Sequence, residues 1–162
     1  MKLLDICNKL EEWAPLAYQE SYDNSGLIVG DPETDVKGVL VSLDCLEHVV
    51  DEAITRDCNV VVSHHPIVFG GLKSLTGKNY VERTVLKAIK NNIALYAIHT
   101  NLDNIDTGVN RMIAEQLSLR NIRILEPKKD GLKMLITYVP NSHVEALRAA
   151  LFAQGAGSIG EY

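Results

Sequence analysis

His64 and His65 stand side by side at the end of the apolar run Val60-Val61-Val62-Ser63, and Pro66 turns the backbone directly after them. His99 closes a second apolar run over 93–98, and Asp103 follows four residues later. Within a strand two adjacent side chains point to opposite faces, but past a strand end a forced turn can aim both into one pocket. Neutral imidazole and carboxylate are the ligand set of zinc, iron and manganese sites. Two neighbouring imidazoles with a shared carboxylate suit a two-metal site in particular. A histidine pair can equally be a polar strand edge, and Asp103 between Asn101 and Asn104 can shape a turn. The pattern alone leaves both readings open.

Other residues carry less. Asp44 also follows a strand, but Asp44-x-x-Glu47 reads better as the N-cap of the next helix. Cys45 is read as a small buried thiol. Gly70-Gly71-Leu72-Lys73-Ser74 lacks the spacing and the strand-to-helix setting of a phosphate loop. The stretch from Asp103 to Gly108 fails as a calcium loop, because Ile105 at its third position and Ala114 at its twelfth cannot donate oxygen. His48 and His143 lie among polar residues and read as solvated.

The elements that must position the histidines follow from periodicity. Leu3, Ile6, Cys7, Leu10 and Trp13 recur at helical spacing up to Pro15. A loop over 21–26 leads to Leu27-Ile28-Val29. Residues 39–43 predict a strand, and Val49, Val50, Ala53 and Ile54 restore the helical period. The valine run of 59–63 predicts a strand buried on both faces. Asn79-x-x-Glu82 has the form of a capping box opening a helix. Residues 93–98 predict another strand, Val109 to Leu117 a helix, and Ile122 and Ile124 a short strand. This alternation predicts an α/β fold: a three-layer arrangement, a sheet with parallel pairs and helices on both faces. Ligands of such sheets gather beyond the carboxyl ends of the strands, where His64, His65, His99 and Asp103 all fall. The polar stretch 126–131 is read as a domain boundary. Beyond it, 134–139 predicts a strand, and Ser142-x-x-Glu145 a cap for a helix through Leu147 and Leu151.

Composition narrows the function. The 162 residues are 46% hydrophobic but only 6% aromatic, so the expected core is aliphatic. A formal charge of −5 argues against a nucleic-acid-binding face. No apolar run approaches a membrane span, the first residues lack a signal-peptide core, and Cys7, Cys45 and Cys58 have no ligand spacing. A cytoplasmic protein with reduced thiols, binding neither nucleic acid nor membrane, is the expectation.

Three blocks, in order, resemble a known family: Asp23-Asn24-Ser25-Gly26-Leu27-Ile28-Val29-Gly30, Ser63-His64-His65-Pro66-Ile67 and His99-Thr100-Asn101-Leu102-Asp103. They are similar to the signatures of the NGG-interacting-factor-three-like proteins, also called GTP cyclohydrolase I type 2 homologs or dinuclear metal centre hexameric proteins. The resemblance implies a two-lobed α/β protein assembled as a homo-hexamer, with two divalent transition-metal ions (zinc, iron or manganese) per subunit. It places His64, His65 and Asp103 on metal-ligand positions and His99 beside them, as a ligand-orienting or proton-moving histidine. It also implies that 1–128 is the metal-binding lobe and 133–162 the start of a ferredoxin-like, PII-like insert, with Gly155-Ala156-Gly157 and Ile159-Gly160 at its first turn. Longer members add a lobe with a His-x-x-x-Glu segment, which these residues do not contain, so half of a two-metal site is expected here. The implied activity is metal-dependent hydrolysis of a phosphate ester or nucleotide-like small molecule. The alternatives are a metal-binding or regulatory assembly protein without turnover and an inactive fragment.

Overall fold

The structure, a computed structural model, describes residues 1–126 and 134–157 and divides into two compact units, Met1–Ile122 and Arg123–Tyr162. The first unit is built on a four-stranded sheet of β1 (Gly26–Val29), β2 (Val39–Ser42), β3 (Val60–Ser63) and β4 (Ala94–Ala97), in the order β1-β4-β3-β2. β2, β3 and β4 run parallel, with Val39 opposite Val60 and Ser63 opposite Ala97. β1 pairs antiparallel with β4, placing Gly26 opposite Ala97.

Helices cover both faces, as the strand–helix alternation requires. Side chains on a strand alternate, so β3 sends Val61 to one face and Val60 and Val62 to the other. Val61 and Leu95 pack with Val49, Val50 and Ala53 of α2 (Glu47–Thr55) and with Val85 and Ala88 of α3 (Tyr80–Lys90). Val60, Val62, Ala94 and Tyr96 pack with Leu3 and Cys7 of α1 (Leu3–Trp13). All four residues of β3 are buried, which is why an unbroken valine run is tolerated there. Burial pushes the Cys45 thiol up to about 11, so it is an inert core residue.

The remaining elements of this unit are short. α4 (Thr100–Asp103) is a single turn directly after β4, and α5 (Val109–Gln116) follows it. Gly108 joins them: a Cβ there would stand 1.8 Å from the Leu102 carbonyl oxygen, so only glycine lets the chain pass so close. The Asn110 side chain donates to the Asp103 carbonyl at 2.9 Å and fixes the end of the turn.

Three expectations are corrected. Ile122 and Ile124 form no strand, and among the described residues no neighbouring strand offers them a ladder. The second unit likewise shows no strand over 134–139; the segment is extended and unpaired, with Met134, Leu135, Ile136 and Tyr138 exposed. It leads through a 3-10 turn, Asn141–His143, into α6 (Val144–Ala153), so the helix starts two residues after Ser142. The Ser142 hydroxyl bonds the His143 ring instead of capping. Most of the expected boundary at 126–131, the start of the insert at 133 and Ile159-Gly160 lie outside the described residues.

Candidate metal centre

Parallel pairing sets the carboxyl ends of β2, β3 and β4 side by side, and each end carries a polar residue forward. The His64 amide donates to the Ser42 carbonyl and the His65 amide to the Leu43 carbonyl, extending the β2–β3 pairing past the strands. The Ile98 amide donates to the Ser63 carbonyl, extending β3–β4 in the same way. His64 and His65 therefore stand between Asp44, at the end of β2, and His99, at the end of β4. Their three rings cluster, with centroids 5.0 Å (His64–His65), 5.2 Å (His64–His99) and 5.6 Å (His65–His99) apart.

Each ring is oriented by a partner on Nδ1. His64 Nδ1 donates to the Ile98 carbonyl at 2.9 Å, His65 Nδ1 to the Asp44 carboxylate at 2.8 Å, and His99 Nδ1 to the Asp23 carboxylate at 2.8 Å. A carbonyl or ionised carboxylate only accepts, so these bonds put a proton on each Nδ1, and in the neutral ring the lone pair is then on Nε2. One nitrogen from each of the three rings lies within 4.8 Å of those of the other two. Asp103, at the end of the α4 turn, brings a carboxylate oxygen to 3.8 Å from His64 Nε2. Three imidazoles, each backed by an oxygen acceptor, with a carboxylate alongside, are the donor chemistry of a divalent transition-metal site. The cluster can hold a metal ion.

Two residues of this arrangement were not legible as such. Asp44 was expected to cap α2, but the residue before that helix is Leu46, which makes no side-chain cap. The Asp44 carboxylate is turned to His65 because β2 and β3 end level with each other. Asp23 lies in the first family block and follows no apolar run. It arrives because β1 is antiparallel to β4, which brings the loop before Gly26 to the same sheet edge as the ends of the parallel strands.

Asp23 is the most deeply enclosed group of the site, with a side chain 0% exposed. Its carboxylate accepts from the Asn24 amide, the Ser25 hydroxyl, His99 Nδ1, the Thr100 amide and the Thr100 hydroxyl. Burial by itself would push its pKa up, but the bonds from Thr100, His99, Asn24 and Ser25 outweigh it and hold the carboxyl well below the ordinary range. Asp23 therefore faces His99 as a fixed negative charge.

The sequence profile of the Duf34/NIF3 (NGG1p interacting factor 3) proteins matches residues 1–160. A "GTP cyclohydrolase 1 type 2 homolog" of Bacillus subtilis (strain 168) is 43% identical over 158 residues, 97% of this chain and 42% of that protein. A protein of the same description from Staphylococcus aureus (strain COL) is 39% identical over 162 residues, covering 100% of this chain and 44% of the other. Among solved structures, a Bacillus cereus protein related to NIF3 superposes with a TM-score of 0.75 at 37% identity, over 100% of this chain and 45% of that one. The chain thus spans less than half the length of the relatives it matches.

Proposed function

The chain belongs to the Duf34/NIF3 family, and from that premise we propose that its first unit carries the metal centre of a metal-dependent hydrolase acting on a phosphate ester or nucleotide-like substrate. The supporting observation is the histidine cluster: three rings whose Nδ1 atoms are all engaged, with one nitrogen of each ring within 4.8 Å of those of the other two. His64, His65 and Asp103 hold the metal. Two divalent ions of zinc, iron or manganese are the full complement of the proposed site, in a homo-hexameric, cytoplasmic protein. The chemistry such ions supply is Lewis acidity toward a substrate oxygen and acidification of water near neutral pH.

His99 differs from its neighbours in its support. Its Nδ1–H is held by a buried, fixed carboxylate, which leaves Nε2 as the nitrogen open to a reacting group. That arrangement orients the ring for proton transfer at Nε2, with Asp23 as its fixed partner on the other nitrogen. His99 is the proton-moving residue of the proposed reaction.

The test is metal content per chain by elemental analysis, on protein purified without chelators or an affinity-tag metal, beside turnover of a panel of phosphoesters. His64→Ala and His65→Ala are expected to abolish metal uptake and turnover together. His99→Gln is expected to keep the metal and lose about 100- to 10,000-fold in turnover, the usual contribution of a positioned acid or base. Undiminished metal in both the His64 and His65 variants would sink the centre. A loaded parent without any phosphoester turnover would leave a metal-binding protein and remove the hydrolase.

A further inference from the structure

Two exposed aromatic rings stand at the rim of the histidine cluster. Tyr22 is 64% exposed and Phe69 52%. Their centroids are 6.2 Å apart with planes tilted by 51°, and Phe69 makes an edge contact with His99 at 6.1 Å and 84°. Tyr22, Phe69 and His99 therefore form a continuous path of rings leading from the cluster to open solvent.

The backbone beside the two rings is tied to the site. Asp23, next to Tyr22, is tied to His99 and Thr100. Asn24 donates its side-chain amide to the Val68 carbonyl at 2.7 Å, just before Phe69. One short loop thus grips the histidine on one side and the Phe69 backbone on the other. Beyond Phe69, Cβ atoms placed on Gly70 and Gly71 would meet nothing within 4 Å, so the space next to the ring is open. Exposed rings beside a polar site, with open space next to them, have the make-up of a surface for stacking flat ring systems.

We infer that Tyr22 and Phe69 form an aromatic platform on which a planar heteroaromatic ring stacks against Phe69 and meets Tyr22 at an angle, which makes the substrate class at this centre a nucleotide-like phosphate ester with its ring on the platform and its phosphate toward the histidines. The inference rests on the reading of the cluster as a hydrolytic metal centre. Stacking without hydrogen-bond readout tolerates any base and scales with ring area, so purines bind more tightly than pyrimidines.

The experiment compares AMP with ribose 5-phosphate, which carries the same sugar phosphate without the ring, by calorimetric titration of the full chain with metal measured on each sample. The parent binds AMP more tightly. Tyr22→Ala and Phe69→Ala each weaken AMP by about 5- to 100-fold and leave ribose 5-phosphate and metal content unchanged. Phe69→Trp restores AMP binding and its emission is quenched by AMP alone, whereas Phe69→Leu, apolar but unable to stack, restores nothing. A metal-bearing parent that binds both probes equally overturns the platform and leaves the metal centre standing. So does an equal loss of both probes in the alanine variants, or full rescue by leucine. A parent that prefers AMP but holds no metal confirms the platform and removes the hydrolytic reading instead.

Discussion

Asp23 decides how His99 can act, because the tautomer of an imidazole is set by whatever its other nitrogen bonds. In Asp23→Asn the amide can present either an oxygen or an NH2 to Nδ1, and the fixed negative charge is gone. Partners of this kind typically contribute about 10- to 100-fold to metal affinity or activity. Asp23→Asn is accordingly expected to lower turnover by that factor with the fold intact, and paired metal analysis and circular dichroism check it. Asp23→Ala should do more, because it leaves the half-buried Thr100 and His99 donors without their acceptor. Wild-type turnover in Asp23→Asn would show that His99 works without its carboxylate. The histidines and Asp103 were legible in the sequence because each follows an apolar run, or lies one helical turn beyond it, and strand ends are where α/β sheets gather ligands. Asp23 precedes its strand. Only the antiparallel direction of β1 brings it to the site, and nothing local in Leu27-Ile28-Val29 reveals direction. The Asp44 misreading has a similar cause: helix-capping spacing is visible in sequence, whereas level strand ends are not.

At the scale of elements, α3 shows what local chemistry can specify. The Asn79 side chain accepts from the Glu82 amide at 2.9 Å, which is one half of the capping box that the Asn-x-x-Glu spacing predicts. The Glu82 carboxylate goes further and accepts from the Thr76 and Lys78 amides and the Thr76 hydroxyl, closing the loop that connects the His64-His65 turn to α3. The backbone amides of Thr76 and Lys78 are the leading cause of a Glu82 pKa held below the ordinary glutamate value. A carboxyl depressed in the folded state stabilises fully above its unfolded pKa and loses that contribution as pH falls through the folded value. Glu82→Gln is therefore expected to melt at a lower temperature than the parent near pH 7. The gap should narrow only below about pH 4.3, the unperturbed value for glutamate. Melting curves from pH 7 down to the acid limit of folding check it; a gap independent of pH would mean that shape, not charge, closes the loop. The failed strands mark the limit of such reasoning. Ile122 and Ile124, and residues 134–139, have strand-forming composition, but a strand exists only with a partner, and pairing is not a local property.

For the whole molecule, the histidine cluster and the carboxylates around it lie between Asp23 and Asp103, and the two apolar clusters together span Leu3 to Ile105. The first unit, Met1–Ile122, thus contains its own core and the complete histidine cluster. In the second unit, α6 buries none of its residues, and Met134 and Tyr138 are 85% and 95% exposed. A domain is defined by a core that can sustain it alone. Residues 1–122 expressed by themselves are accordingly expected to unfold in one cooperative step and to take up as much metal as the full chain. Their melting temperature should lie within about 4–8 °C of the parent's, the shift that 1 kcal/mol produces in a domain of roughly this size. Thermal melts with parallel elemental analysis measure both. Retained folding with lost metal would mean that residues 123–162 supply a ligand or shield the site, and the three-histidine cluster would then be a part of the centre that cannot hold an ion alone. Equal metal in both forms would locate the whole of this chain's binding capacity on the three strand ends, with Asp23 and Asp44 behind the rings.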